Sequence, residues 1–428
     1  MEEQSPITSQ DNDSEITYKD FLPANDGQVK PHYESFRTLM NHANNWLKLN
    51  THWKVRTCET LEFTFNNTVV DTSKMVYVKN ASLRHIIGLR LWLQRFPPGE
   101  ENVQEIGYIN LIPKITYGKN DLVGFPEFEK LGDVVMRYNE ESQSSPIPGR
   151  IITIETPPYK VRNRTLVDPE FTHRTEYHNR HYQFAFIIRI YYEVGEPMRE
   201  KIGFQDFIPN IERDPCFSIC REYQEFSVLT YKASRWCLRQ TNLRICNNQF
   251  LLTKLVGTTT ADSTKMSYVK HGAVHTVCFV EDQLLPIANQ RSTAFLRILR
   301  VAYIRLPHGV KVPFARFTCK SFLPVLLRPG VCCHGTHPEF ETLKETVQRA
   351  SAWIKEKGAN VLSIETSDCR LYKKGAAYSS GVTCYFTPSL HDRYCFFIIR
   401  VYMDGEYGEE NEEDSALVPS HACCCNIQ

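Results

Sequence analysis

The sequence predicts an α+β protein: four β-α-β-β units that pair into two tandem domains, with antiparallel sheets and helices packed on one face. Three recurrences carry this expectation. A short run closing on two apolar residues and a proline occurs as Asp20-Phe21-Leu22-Pro23, Asn110-Leu111-Ile112-Pro113, Asp206-Phe207-Ile208-Pro209 and Ser321-Phe322-Leu323-Pro324. Each is followed by a helical segment opening Phe-x-x-Leu, at Phe36/Leu39, Phe128/Leu131, Phe226/Leu229 and Phe340/Leu343. An arginine then stands between aliphatic residues in the last strand-like run of each unit: Arg90, Arg189, Arg300 and Arg400.

The first unit opens with Ile16 to Pro23, a short strand stopped by a residue that has no N–H for a ladder. Apolar residues at 33, 36, 40, 43 and 47 then recur at helical spacing, so one face of that helix is buried. Trp53 to Phe65 alternates like a strand, and Gly88 to Phe96 interleaves arginine and glutamine with apolar residues. Such alternation belongs to an antiparallel strand with one wet face, where the recurring arginines need no further role. The second unit repeats the order with Tyr108–Pro113, a helix over Pro126–Asn139, and strands over Arg150–Thr156 and Gln183–Tyr192. The third runs from Gly203 with a helix over Tyr223–Arg239 and strands near Leu243–Leu255 and Ala294–Ile304. The fourth begins at Phe317, with a helix over Pro338–Lys357 and strands near Asn360–Glu365 and Tyr394–Met403.

A second level of similarity pairs alternate units. Asp71 to Lys79 matches Asp262 to Lys270, while Ile154-Glu155-Thr156 matches Ile364-Glu365-Thr366. One unit has too few elements to bury a core, so two units per domain are expected. The divisions are a polar tail over 1–14, a first domain over 15–198, a second over 199–404, and an acidic spacer with the C-terminal tail over 405–428. Two β-α-β-β halves per domain resemble the SOUL heme-binding and GyrI-like families. That resemblance spans about residues 15 to 404 and rests on element order. It implies a groove between paired halves for heme, another tetrapyrrole or a different hydrophobic small molecule, and it assigns no ligand residue.

With 50 basic and 49 acidic residues the formal net charge is +1, which offers nucleic acid no global field. The first residues lack the basic and apolar regions of a secretory signal, and no run of eighteen apolar residues occurs, so a cytosolic chain with reduced cysteines is expected. Cys332, Cys333, His334 and His337 form the densest group of metal- or heme-ligand types, against a plain structural loop before a helix. His173, His178 and His181 lie in a basic, aromatic stretch that makes either an exposed hairpin or an anion contact. Glu155 and Glu365 suggest paired carboxylates only if they share a cleft. Placed in separate domains, they are expected to face outward. No phosphate loop, G-x-S-x-G or H-E-x-x-H is present, so no catalytic residue is assigned and no cofactor is required.

The tail is different in kind. Cys425-Asn426-Ile427-Gln428 fits the C-a-a-X prenylation pattern, with glutamine in last place favouring farnesyl. Cys423 and Cys424 beside it are sites for palmitoylation, a second lipid that one marginal anchor needs, since the preceding spacer is acidic and not polybasic. The expected protein is therefore non-enzymatic, held by lipids on the cytoplasmic face of a membrane with a cytosolic pool. It presents its α+β domains to a protein partner or a hydrophobic ligand.

Overall fold

In the computed structural model the described residues run from 15 to 407, apart from 29–31, 66–69, 80–81, 98, 101, 118–123, 178–179, 214–221, 257–259, 271–292, 308, 329–338, 371–379 and 388–392. They form an α+β structure of antiparallel sheets with four helices: α1 (Phe36–Leu49), α2 (Leu131–Ser144), α3 (Phe226–Cys237) and α4 (Leu343–Lys357). Each helix belongs to a segment with an opening strand, an inner strand and a closing strand. The opening strands are Ile16–Phe21, Ile106–Leu111, Lys201–Phe207 and Phe317–Phe322. The inner strands are Trp53–Phe65, Ile147–Glu155, Leu243–Val256 and Val361–Arg370. The closing strands are Ser82–Arg95, Ile188–Met198, Thr293–Arg305 and Arg393–Asp404, and each lies between the other two of its segment.

Helix α1 shows why the sequence folds this way locally. Ser35 accepts from the Thr38 amide at 3.2 Å, and Phe36, Leu39, Met40, Ala43 and Leu47 form one buried stripe. Helices α2 and α4 begin later than the Phe-x-x-Leu marker predicts. The helix starts at Phe in the first and third segments but at Leu in the second and fourth, where Phe128 and Phe340 lie in short strands before it. The position that recurs in space is an aromatic residue three before the helix: Tyr33, Phe128, Tyr223 and Phe340.

Short strands absent from the sequence expectation tie each segment to its neighbour. His173–Tyr177 of segment two pairs with the closing strand of segment one, and Ser267–Lys270 of segment three pairs with Tyr182–Phe186 of segment two. Cys384–Thr387 pairs with the closing strand of segment three, and Val76–Lys79 of segment one pairs with that of segment four. The order therefore closes on itself. Helix starts follow the same circuit: the first amides of α1, α2, α3 and α4 donate to Glu170, Thr264, Gly381 and Ser73 carbonyls at 2.8 to 3.0 Å. So do the helix sides, where Asn44 and Asn139 each hydrogen-bond both backbone groups of Ile106 and Ile202, and Ser351 accepts from the Ile16 amide.

The cores sit between segments. One cluster joins α1 to Ile106, Ala185 and Tyr191, the next joins α2 to Ile202, Cys246 and Ala302, a third joins α3 to Phe317 and Tyr402, and the last joins α4 to Ile16 and Trp92. The second and fourth of these lie across the boundary expected between residues 198 and 199. This arrangement also corrects the wet face. Arg90, Arg189, Arg300 and Arg400 are 0 to 4% exposed, because the neighbouring segment covers the strand face that alternation alone reads as solvated. The described cysteines are free thiols, and Cys58, Cys237, Cys246, Cys369 and Cys395 are buried.

Candidate functional site

The four inner strands pack side by side around a common centre, and the expectation that Glu155 and Glu365 face outward is overturned there. Both are buried and point across a seam. Glu155 accepts from the Thr60 amide at 2.9 Å and the Thr60 hydroxyl, Glu365 from the Phe250 amide at 2.6 Å, and Glu59 from the Thr366 amide at 2.6 Å. Gln249 completes the circuit through the Thr156 amide at 2.9 Å. Thus each inner strand reaches the next through one side chain. Trp92, Tyr191 and Tyr402 donate a further bond to Glu59, Glu155 and Glu365. Burial pushes the Glu59 carboxyl up to about 8, against the pull of Arg90 and its donors, and it raises Glu155 and Glu365 as well. These acids face protein on every side, so the ring is a structural device.

An accessible cavity of about 210 Å³ lies outside it, where segment two's long excursion crosses segment one. Ile87, Tyr159 and Phe171 give it apolar walls, and Lys160, Arg162, His173, Arg174, Asp168 and Thr175 give it polar ones. Space exists here partly because of one residue. Ile87 donates its amide to Thr172, and the three matching positions, Phe186, Arg297 and Phe397, all carry larger side chains. A tight turn with positive φ at Asn163 (48°) and Arg164 (66°) joins Arg162 to Leu166 and sets Arg162 at the rim.

The cations are held in defined places. The Arg162 guanidinium lies 4.1 Å from the centre of the Phe171 ring, and His173 stacks on Tyr33 at 4.8 Å and lies tilted against Phe171 at 5.0 Å. Lys160 donates to the Thr175 carbonyl at 2.9 Å. Arg174 pairs with Glu62 and Glu176, leaving one buried guanidinium nitrogen, Nη1, without a partner. Glu176 also accepts from Lys270, and Arg174, Lys270 and His85 outweigh its burial to hold its carboxyl down to about 2. Burial lowers the Lys160 pKa, and Arg174, Arg162 and Arg180 add to this against Glu176. Burial, then Arg162, His32 and Arg84, lower that of His173, favouring its neutral ring. Among the described residues no carboxylate pairs with Arg162. The site therefore offers a cation in no ion pair and a ring-lined wall side by side, with the Asp168 carboxylate also on the lining.

Of the histidines singled out by sequence, His173 lines this cavity, His181 is exposed and is not part of the lining, and His178 lies outside the described residues. Cys332, Cys333, His334, His337 and the tail cysteines Cys423, Cys424 and Cys425 lie outside them too. Among the described residues no group of three or more histidine, cysteine or acidic side chains is placed to hold a metal, and no helix is long and apolar enough to cross a membrane. Sequence reasoning missed Lys160, Arg162 and Arg174, which belong to no repeated pattern. It also missed Glu59, although Glu59-Thr60 shares its dipeptide with Glu155-Thr156 and Glu365-Thr366. No protein-family model, curated protein or solved structure matches the chain.

Proposed function

We propose that this protein is a non-enzymatic binding protein made of four related β-α-β-β units, and that the cavity between Ile87, Lys160, Arg162 and His173 takes a small anion with an apolar, flat body. The carrying observation is the placement of Arg162, which no carboxylate among the described residues bridges, beside the Phe171, Tyr159 and Ile87 wall in one cavity. The cations fix an anionic head through charge-assisted hydrogen bonds, and the wall buries the remainder. Phenyl phosphate is a suitable probe. Calorimetry should give saturable binding without hydrolysis, weakened about tenfold by Arg162→Gln, the loss of one charged hydrogen bond. Undiminished binding by that variant would remove the assignment. Hemin titration tests the tetrapyrrole alternative, since a saturable Soret shift would favour it over the small anion.

The sequence of the tail supports a second element of this proposal, a lipid tether through Cys425 with acylation of Cys423 or Cys424. Cys425→Ser should move the protein from membranes to cytosol on fractionation. Changing Cys423 and Cys424 together to Ser should leave loose attachment, because each buried methylene adds only about 0.8 kcal/mol. A Cys425→Ser protein that still pellets fully would place the attachment in the folded part.

A further inference from the structure

Every inner strand carries one extra residue opposite its closing strand. The register slips at Arg56, Ile152, Cys246 and Leu362, each three positions before Glu59, Glu155, Gln249 or Glu365. In segment one that residue is an arginine, and its Nη2 donates to the Val361 carbonyl of segment four. On the opposite seam the Arg244 Nη2 donates to the Ile151 carbonyl of segment two at 2.9 Å. Val361 and Ile151 are matching residues, so two guanidinium groups are fixed at one level of the ring. Arg150, adjacent to Ile151, is exposed there.

Arg244 pairs with Glu200 and Arg150 stands opposite Glu193 in the ladder, which leaves Arg56 as the least compensated of the three. Glu200 is engaged twice, through Oε1 with Arg244 at 3.0 Å and through Oε2 with the Ile151 amide at 2.7 Å. Among the described residues no carboxylate pairs with Arg56 or Arg150, and the Arg56 Nε is buried without a partner. Burial first, then Arg150 and Arg244, lower the Arg56 pKa. Like charges gathered on rigid strands favour whatever neutralises them.

We propose that this mouth of the inner ring binds a compact, multiply charged oxyanion of the phosphate type, free in solution, with Arg56, Arg150 and Arg244 as its ligands. The largely buried Arg56 is out of reach of a flat membrane surface, which selects a small free anion. The site is separate from the cavity at Arg162 and stands without it. Pyrophosphate is the probe, titrated into the full chain carrying Arg162→Gln so that the cavity contributes nothing, at constant ionic strength against sodium chloride. One-to-one binding is expected, weakened at least about tenfold by Arg150→Gln, a change at an exposed, unpaired side chain that spares the fold. Arg150→Glu replaces a ligand by a like charge to the anion, so it should abolish pyrophosphate binding. Equal affinity in Arg150→Gln and the parent, binding that survives Arg150→Glu, or binding no stronger than chloride explains would each overturn the proposal.

Discussion

The third segment differs from the other three at the centre of the ring, and its differences come as a set. Where the others place Glu59, Glu155 and Glu365, it has Gln249. Where they place Trp92, Tyr191 and Tyr402 as donors to those acids, it has Ala302. Where they place Thr60, Thr156 and Thr366, it has Phe250. An amide has one acceptor oxygen where a carboxylate has two, and in Gln249 that oxygen is met by the Thr156 amide and hydroxyl without an indole or phenol. The missing hydroxyl is also met: Arg90 and Arg189 donate to Thr366 and Thr60, while Arg400 lies 4.5 Å from the Phe250 ring centre and donates to Ser367. A second alternation accompanies this. Arg90 and Arg300 have bidentate partners in Asp20 and Asp206, whereas Arg189 and Arg400 face Asn110 and Ser321 and lie against the Phe36 and Phe226 rings at 3.7 and 4.1 Å. What is preserved around the ring is a backbone amide donated across each seam to Glu59, Glu155, Gln249 or Glu365, with the residue types around it free to vary.

The harshest way to break the comparison is to cut the circuit. Fragments 1–198 and 199–428 separate two of the four cores and two of the four exchanged strands. Each alone should lack a cooperative thermal transition, and mixing should restore one. Two autonomous transitions would instead support the two-domain division drawn from sequence. Next in size, Glu155→Ala should cost about 3 to 5 kcal/mol in denaturant unfolding, because it strands the Thr60 amide and takes the carboxylate from beside the buried Arg189 charge. Gln249→Ala, which strands only Thr156, should cost about 1 to 3 kcal/mol. Equal losses would show that the third segment is not special.

The pH dependence sharpens the same contrast. The Glu59 carboxyl is raised in the folded state to about 8 from its ordinary 4.5, so the native form binds the extra proton. Its contribution to stability is full below about pH 4.5 and is lost as pH rises to about 8. Glu176 has the opposite sign: held at about 2, it contributes above its ordinary value and the gain is lost as pH falls toward 2. Tm against pH should therefore decline on both sides, and Glu59→Gln should flatten only the upper limb. The smallest expected effect concerns helix starts. Thr342 and Glu345 form a reciprocal cap on α4, while Glu225 gives α3 no side-chain bond. Thr342→Ala should cost about 1 kcal/mol, and Glu225→Ala should be near neutral.

The recurrence of strands, helices and strand arginines was legible in the sequence because each is a local pattern repeated at comparable places. What lay beyond reach depends on the neighbouring segment. Alternation told which face of Ser82–Arg95 is polar, but not that Thr366 and Asp20 wait there for Arg90. The likeness of Asp71–Lys79 to Asp262–Lys270 was visible, yet a four-residue strand pairing more than 300 residues away leaves no periodicity to detect. The cavity escaped for a similar reason. His173 stood out by composition, whereas Arg162 matters because a turn lays it over Phe171.

The strand Val76–Lys79 has a consequence for how the chain is made. Its partner, Arg393–Asp404, is synthesised more than 300 residues later, so through most of translation the first segment carries an unpaired edge and an uncovered core face. Contacts this distant in sequence form slowly, and open edges are where nascent chains stick to one another. A ribosome stalled before residue 393 would thus hold a body of nearly complete segments that cannot close, and chaperone demand should persist until that last strand emerges.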